Sequence, residues 1–233
     1  MKYIVLKNSI LDIGLKPSEL LVYATLVSLK DKITGNTICS CKAISKNCLL
    51  SERTVYKSLS VLEERGLIKS KRRYNIDGQY ISKIYKFKNL IGKGFFKLNV
   101  DIVRKGLSPS EFMVYCFMQK SANKKGEIVT SLKKMSVLLN TTVNTLIKAI
   151  ERLKNELLIF KMNYITMTGA FGCSRYTIEK NELDSNKKFI SIEKSKKIIT
   201  LVKCKNNTID LKTQYLWLTK NNVKNLCDIM SDN

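Results

Sequence analysis

The hydrophobic positions of this chain follow one pattern twice, with a spacing of about 90 residues between the two copies. The segment Gly14–Tyr23 returns as Gly106–Tyr115, and each copy continues with the same succession of helical and strand-like patterns. A repeat of this length is typical of one small domain rather than of a solenoid unit. The sequence therefore predicts two copies of one structural unit.

Each repeat predicts a short strand, a helix, a second short strand, a short helix, a tight turn, a long helix and a β-hairpin. In the first repeat Ser51 is a good N-cap for the long helix, and Asp77-Gly78 is a strong hairpin turn. A short helix, a tight turn and a capped helix are typical of a helix-turn-helix, and the hairpin behind them makes a winged helix. The expected first-repeat segments are Tyr3–Leu6, a helix from Pro17, Thr37–Cys39, 41–47, a helix after Ser51, Leu67–Tyr74 and Tyr80–Phe87.

The second repeat follows the same order with some different residues at its helix ends. Ser108 and Glu111 form a capping box where the first repeat has Lys16, so we expect the first helix start to be less well satisfied. Gly66 ends the first long helix, and Leu157 stands in its place, so we expect the second long helix to end differently. The expected second-repeat segments are Phe95–Leu98, a helix from Pro109, Ile128–Thr130, Leu132–Leu139, a helix after Thr141 or Thr142, Leu158–Met167 and Cys173–Ile178.

Several motifs of the first repeat resemble a known family. They are Leu15 with Pro17-Ser18-Glu19 before a Val-Tyr helix, Ala43-Ile44, Leu50-Ser51 with Arg53-Thr54-Val55, and Leu62–Ile68. They are similar to the winged-helix domain of phage and plasmid replication proteins, and the tandem pair is similar to the layout of iteron-binding initiators of small plasmids. The resemblance covers residues 1–181 and implies DNA binding. The second repeat departs from it, with Asn144-Thr145 in place of the Arg-Thr pair.

The predicted fold class is α+β, with two tandem winged helix-turn-helix domains. The expected domains are residues 1–90, residues 91–181 and a mostly helical C-terminal extension over 182–233. The extension contains many apolar residues, among them Ile190, Leu211 and Trp217, so it predicts packed helices rather than disorder. Two interpretations of these helices stay open: packing on the second domain, or formation of a homodimer.

The charge of the chain points to a polyanionic partner. There are 42 Lys and Arg against 19 Asp and Glu, a net charge of +23, and the two predicted domains carry +10 and +9. No apolar run approaches the roughly 18 residues of a membrane span, and the apolar run Tyr3–Leu6 is too short for the core of a secretory signal. We therefore expect no membrane partner and a cytoplasmic protein. A composition bias toward Lys, Asn and Ile is the competing explanation of the charge.

The sequence lacks the residue patterns that most often support catalysis. The chain has no histidine, no phosphate-binding glycine loop and no carboxylate cluster at metal-ligand spacing. Cys39, Cys41 and Cys48 lack a fourth ligand for zinc, and we expect them to pack as small apolar side chains. We expect no catalytic residues, no metal site and no cofactor, so the protein is predicted not to be an enzyme.

The long helix of a helix-turn-helix enters the major groove with its N-terminal residues at the base edges. Arg53 is suited to bidentate contact with guanine, and Asn144 to adenine. Arginines on a wing suit the narrow minor groove of A-tracts, so AT-rich DNA is one expected target. The predicted DNA-binding residues are Ser51, Arg53, Thr54, Tyr56, Lys57, Lys69, Lys71, Arg72, Arg73 and Lys83 in the first repeat, and Thr142, Asn144, Thr145, Lys148, Lys161 and Arg175 in the second.

The predicted function is sequence-specific binding of double-stranded DNA, first of all as a plasmid or phage replication initiator. A transcriptional regulator or a plasmid partition and maintenance protein is the alternative role. A partner-binding adaptor, with charge set by genome composition, is the alternative class. The second wing also allows two interpretations, because its apolar Tyr164, Ile165 and Phe171 suit a partner subunit as well as DNA.

Overall fold

The computed structural model describes residues 3–162 and 174–178, which all lie in one compact unit over residues 1–181. Three sequence-based expectations lie outside the described residues. They are the helical extension over 182–233, the second hairpin turn at Thr168-Gly169, and the second wing's apolar side chains Tyr164, Ile165 and Phe171.

The first repeat is a winged helix-turn-helix. Its three helices pack beside an antiparallel sheet with the strand order β2-β4-β3, in which the β3–β4 hairpin forms the wing. A single turn of 3₁₀ helix follows the first strand. The elements are β1 Tyr3–Lys7, the 3₁₀ helix Asn8–Leu11, α1 Pro17–Ser28, β2 Thr37–Cys39, α2 Cys41–Cys48, α3 Glu52–Glu64, β3 Ile68–Tyr74 and β4 Tyr80–Phe87.

The second repeat has the same order, with its sheet arranged β6-β8-β7. Its one additional α-helix, α4, stands where the first repeat has the 3₁₀ turn, and Asn99 caps it by accepting the Asp101 N–H at 3.0 Å. The elements are β5 Phe95–Asn99, α4 Val100–Arg104, α5 Pro109–Ser121, β6 Glu127–Val129, α6 Leu132–Leu138, α7 Val143–Asn155, β7 Ile159–Met162 and β8 Arg175–Ile178. The fold prediction of tandem winged helix-turn-helix domains is confirmed.

The two first helices differ in capping as the sequence predicts. At α5 the Ser108 hydroxyl accepts the Glu111 N–H at 3.3 Å, and the Glu111 carboxylate accepts the Ser108 N–H at 2.8 Å. At α1 the Glu19 carboxylate accepts the Lys16 N–H at 2.8 Å, but Lys16 offers no side-chain acceptor in return. The start of α1 therefore keeps one half of the reciprocal pair.

The expectation that the second long helix ends differently is wrong. Gly66 has φ +65° and Leu157 has φ +58°, so both helices end in the left-handed region. The closing hydrogen bonds also match, because the Leu67 N–H reaches the Leu62 carbonyl at 2.9 Å and the Leu158 N–H reaches that of Leu153 at 3.0 Å. Tertiary packing overrides the local preference of Leu157, at a cost of about 1 kcal/mol in backbone conformation.

The two repeats join through β1 and β5, which pair antiparallel. Ile4 lies opposite Leu98 and Leu6 opposite Phe96, and all four side chains are buried on one face. Val5 lies opposite Lys97 at the centre of the pairing, so the strand register stays the same when the two repeats are exchanged. Helices α1 and α5 also pack on each other. The repeats are therefore related by a local two-fold, like the subunits of an isologous dimer.

Candidate nucleic-acid interface

The recognition helix α3 begins at a well-formed cap. The Ser51 hydroxyl accepts the Thr54 N–H at 3.2 Å and lies 2.8 Å from the Thr54 hydroxyl. Val55, Leu59 and Leu62 are buried against the rest of the repeat. The opposite face of the helix is therefore exposed, and it carries Arg53, Tyr56, Lys57 and Ser60.

The second recognition helix α7 repeats this geometry. The Thr142 hydroxyl accepts the Thr145 N–H at 3.2 Å and lies 2.9 Å from the Thr145 hydroxyl. Of the two cap residues left open by the sequence, Thr142 is the one that caps the helix. The buried face consists of Leu146, Ala149, Ile150 and Leu153, and the exposed face carries Val143, Asn144, Ile147 and Lys148.

The basic residues of the first wing fall on two opposite faces of its sheet. Successive side chains of a strand alternate between faces, and paired residues share a face. Arg72 lies opposite Lys83, on the same face as the buried Tyr85. Lys69, Lys71 and Arg73 lie on the other face, where their partners are Lys86, Ile84 and Ser82.

The face that carries Arg72 and Lys83 meets the start of α3. A hydrogen bond between the Tyr56 hydroxyl and the Cys41 thiol raises the pKa of Tyr56, so α3 touches α2 at this point. Burial raises the pKa of Cys41, and the nearby Tyr56 hydroxyl and Lys83 ammonium oppose that shift. Tyr56 and Lys83 thus adjoin the same thiol, one from the recognition helix and one from the wing.

Two tyrosines that were not among the predicted residues complete this surface. Tyr74 and Tyr80 pack edge to face at the end of the hairpin, with ring centroids 6.3 Å apart. Burial raises the pKa of Tyr80, and the nearby Arg72 guanidinium opposes the shift. Alternation from Arg72 would have predicted Tyr74, whereas Tyr80 pairs with Tyr74 only because the register shifts between Arg73 and Tyr74. We call the surface formed by Arg53, Tyr56, Lys57, Arg72, Tyr74, Tyr80 and Lys83 the first recognition surface.

The structure does not bring the two predicted residues of the second wing together. Lys161 lies opposite the buried Tyr176, so it stands on the inner face of the sheet. Arg175 lies opposite Val129, which is exposed on the outer face. Among the described residues, the part of the second repeat that corresponds to the first recognition surface therefore consists mainly of the exposed face of α7.

The three clustered cysteines of the first repeat are buried. Burial raises the pKa of the Cys39 thiol to about 12, and it also raises the pKa of Cys48. These thiols are therefore protonated at neutral pH and pack as small apolar side chains. Over residues 3–162 and 174–178, no three His, Cys, Asp or Glu side chains are grouped as metal ligands.

Within the part of the chain that the structure describes, no helix combines the length and apolar character needed to cross a bilayer.

Comparison with known proteins assigns the class. A family model described as a helix-turn-helix domain matches residues 14–68 and 105–156, which contain α1 to α3 and α5 to α7. Together with the two wings, these matches define a DNA-binding protein with tandem winged helix-turn-helix domains. Among solved structures, the chain is similar to the Pi initiator protein in complex with iteron DNA, at 15% identity and a TM-score of 0.46, over 77% of this chain and 98% of that one. No curated protein sequence matches the chain.

Proposed function

We propose that this protein binds double-stranded DNA in a sequence-specific manner and acts as a replication initiator of a plasmid or phage. The observation that carries the proposal is the presence of two capped recognition helices on repeats that pair about a local two-fold. The net charge of +23 supplies the sequence-independent attraction to phosphate.

The first recognition surface has the chemistry for both kinds of DNA contact. Arg53 stands two residues after the Ser51 cap, at the helix end that meets base edges, and it is suited to guanine. Lys57, Arg72 and Lys83 add positive charge to the same surface, suited to phosphate or to a narrow minor groove.

The local two-fold has a consequence for the DNA site. Recognition helices related in this way approach one face of a duplex in opposite directions, as they do in symmetric helix-turn-helix dimers. The two half-sites would then be inverted relative to each other. Arg53 in one repeat and Asn144 in the other would make the half-sites differ in sequence, because one residue suits guanine and the other adenine.

Support for the replication role comes from the sequence. The segment with Pro17-Ser18-Glu19, Arg53-Thr54 and Gly66 is similar to the winged-helix domain of phage and plasmid replication proteins. Transcriptional regulation and plasmid partition are the second candidate, because the same structural unit serves those roles.

Two experiments test the proposal in turn. A selection from random duplexes, followed by salt titration of the chosen site, should show a strong preference for that site and a steep loss of affinity as salt rises. Absence of both would contradict DNA binding as the function. A plasmid without its own origin, carrying this gene and its flanking DNA, should then replicate with the native gene and fail with Arg53→Ala. Specific binding without replication would favour the regulator or partition role.

A further inference from the structure

We propose that the second repeat recognises thymine 5-methyl groups through Val143 and Ile147. The first half-site is then read mainly by charged and polar groups, and the second by apolar contact. This inference rests on the proposed function, because it assumes that α7 meets a duplex as α3 does.

Val143 and Ile147 lie one helical turn apart at the start of α7. Their side chains are 38% and 42% exposed, whereas Leu146 on the inner face is fully buried. Val143 and Ile147 therefore contribute little to the hydrophobic core of the second repeat. Val143 and Ile147 occupy the places that Glu52 and Tyr56 hold in α3, directly beside the end of the helix that enters the groove.

Thymine is the natural partner for such a pair in DNA. Its 5-methyl group is the apolar feature of the major groove, and side chains such as Ala, Thr or Phe contact it in known complexes. Asn144, between Val143 and Ile147, is suited to the adenine of the same base pair. One A·T pair can therefore satisfy the amide and an apolar neighbour together.

The charges around α7 favour DNA over an apolar protein surface as the occupant. The first turn of α7 has no acidic residue, whereas α3 has Glu52 there. Lys148 is exposed on α7, and Lys133 and Lys134 are exposed on the preceding helix α6. A phosphate backbone would pair with these ammonium groups while its bases meet Val143 and Ile147.

The test uses the full chain and its selected DNA site. Each thymine is replaced in turn by deoxyuridine, which lacks only the methyl group. Binding is measured for the wild type and for the double variant Val143→Ala, Ile147→Ala. Alanine is a good helix former, so α7 should stay intact in this variant. Val129→Ala is the matched control, since Val129 is 63% exposed and lies on strand β6, outside α6 and α7.

The proposal predicts at least one thymine whose methyl group matters to the wild type and not to the double variant. Loss of that methyl should weaken wild-type binding about fourfold, the effect of removing one buried methyl contact. Val129→Ala should leave this sensitivity unchanged.

Three results would count against the proposal, and they are distinguishable. If the selected site is bound specifically but no thymine behaves in this way, the methyl readout is wrong and the proposed function stands. If the double variant also binds as tightly as the wild type, the apolar face of α7 belongs to a protein partner. If no duplex sequence is preferred at all, the proposed function itself fails.

Discussion

The two repeats share a backbone and differ in the surface that it presents. Their caps, their left-handed helix ends and their buried central tyrosines, Tyr85 and Tyr176, match closely. The exposed residues of the recognition helices do not match, since Arg53 corresponds to Asn144 and Tyr56 to Ile147. The two repeats therefore present their recognition helices with the same backbone geometry, while the exposed side chains on those helices differ in chemistry. Two different half-sites are the expected result.

The largest expected effect tests whether the repeats form one structural unit. Leu98 is fully buried and lies opposite Ile4 across the β1–β5 pairing, so Leu98→Ala should lower the free energy of unfolding by about 2–5 kcal/mol. Urea unfolding followed by circular dichroism should show one cooperative transition for both repeats. Lys97→Ala, at an exposed position of the same strand, is the control. Two separate transitions, with only the second shifted, would show that the repeats fold independently.

The next effect separates the two recognition helices. Arg53→Ala should cost about 1–3 kcal/mol of binding free energy and relax base preference at one position. Asn144→Ala should relax preference at a different position, in the other half-site. Affinities for the selected site, its single-base variants and random duplex check both statements. If Arg53→Ala weakens all three in equal proportion, Arg53 is a phosphate contact and does not read sequence.

A smaller effect tests the division of the first wing into two faces. Arg72 lies on the face that meets α3, and Arg73 on the opposite face. Arg72→Ala should weaken binding to all duplexes and reduce the salt slope by about one. Arg73→Ala, as the matched control, should change the slope less. A larger loss for Arg73→Ala would mean that the outer face of the wing meets the DNA.

The smallest effect concerns the helix ends. A Cβ added at Gly66 would meet no atom within 4 Å, so the cost of a substitution there is conformational. Gly66→Ala should lower the free energy of unfolding by about 1 kcal/mol, and Gly66→Asn by less, because asparagine tolerates positive φ. Chemical denaturation measures both. If neither substitution changes the free energy of unfolding, the left-handed backbone at this helix end is not strained. The conformational cost assigned to Leu157 in the second repeat would then be wrong as well.

Much of the fold follows from the sequence because α3 and α7 are amphipathic and because several helices begin at recognisable caps. The 3₁₀ turn at Asn8–Leu11 and helix α4 are too short to produce a periodic signal. The β1–β5 pairing joins residues far apart in the chain, which local pattern cannot predict. The two faces of the first wing depend on strand register, and a bulge between Arg73 and Tyr74 shifts that register near the turn.

The central claim is that each repeat places one recognition helix on the same duplex, and hydroxyl-radical footprinting of the full chain on its selected site tests it most directly. The account predicts two protected segments on one face of the DNA, about one helical turn apart. Arg53→Ala should weaken protection of one segment and Asn144→Ala that of the other. A single protected segment that is unaffected by Asn144→Ala would contradict the claim.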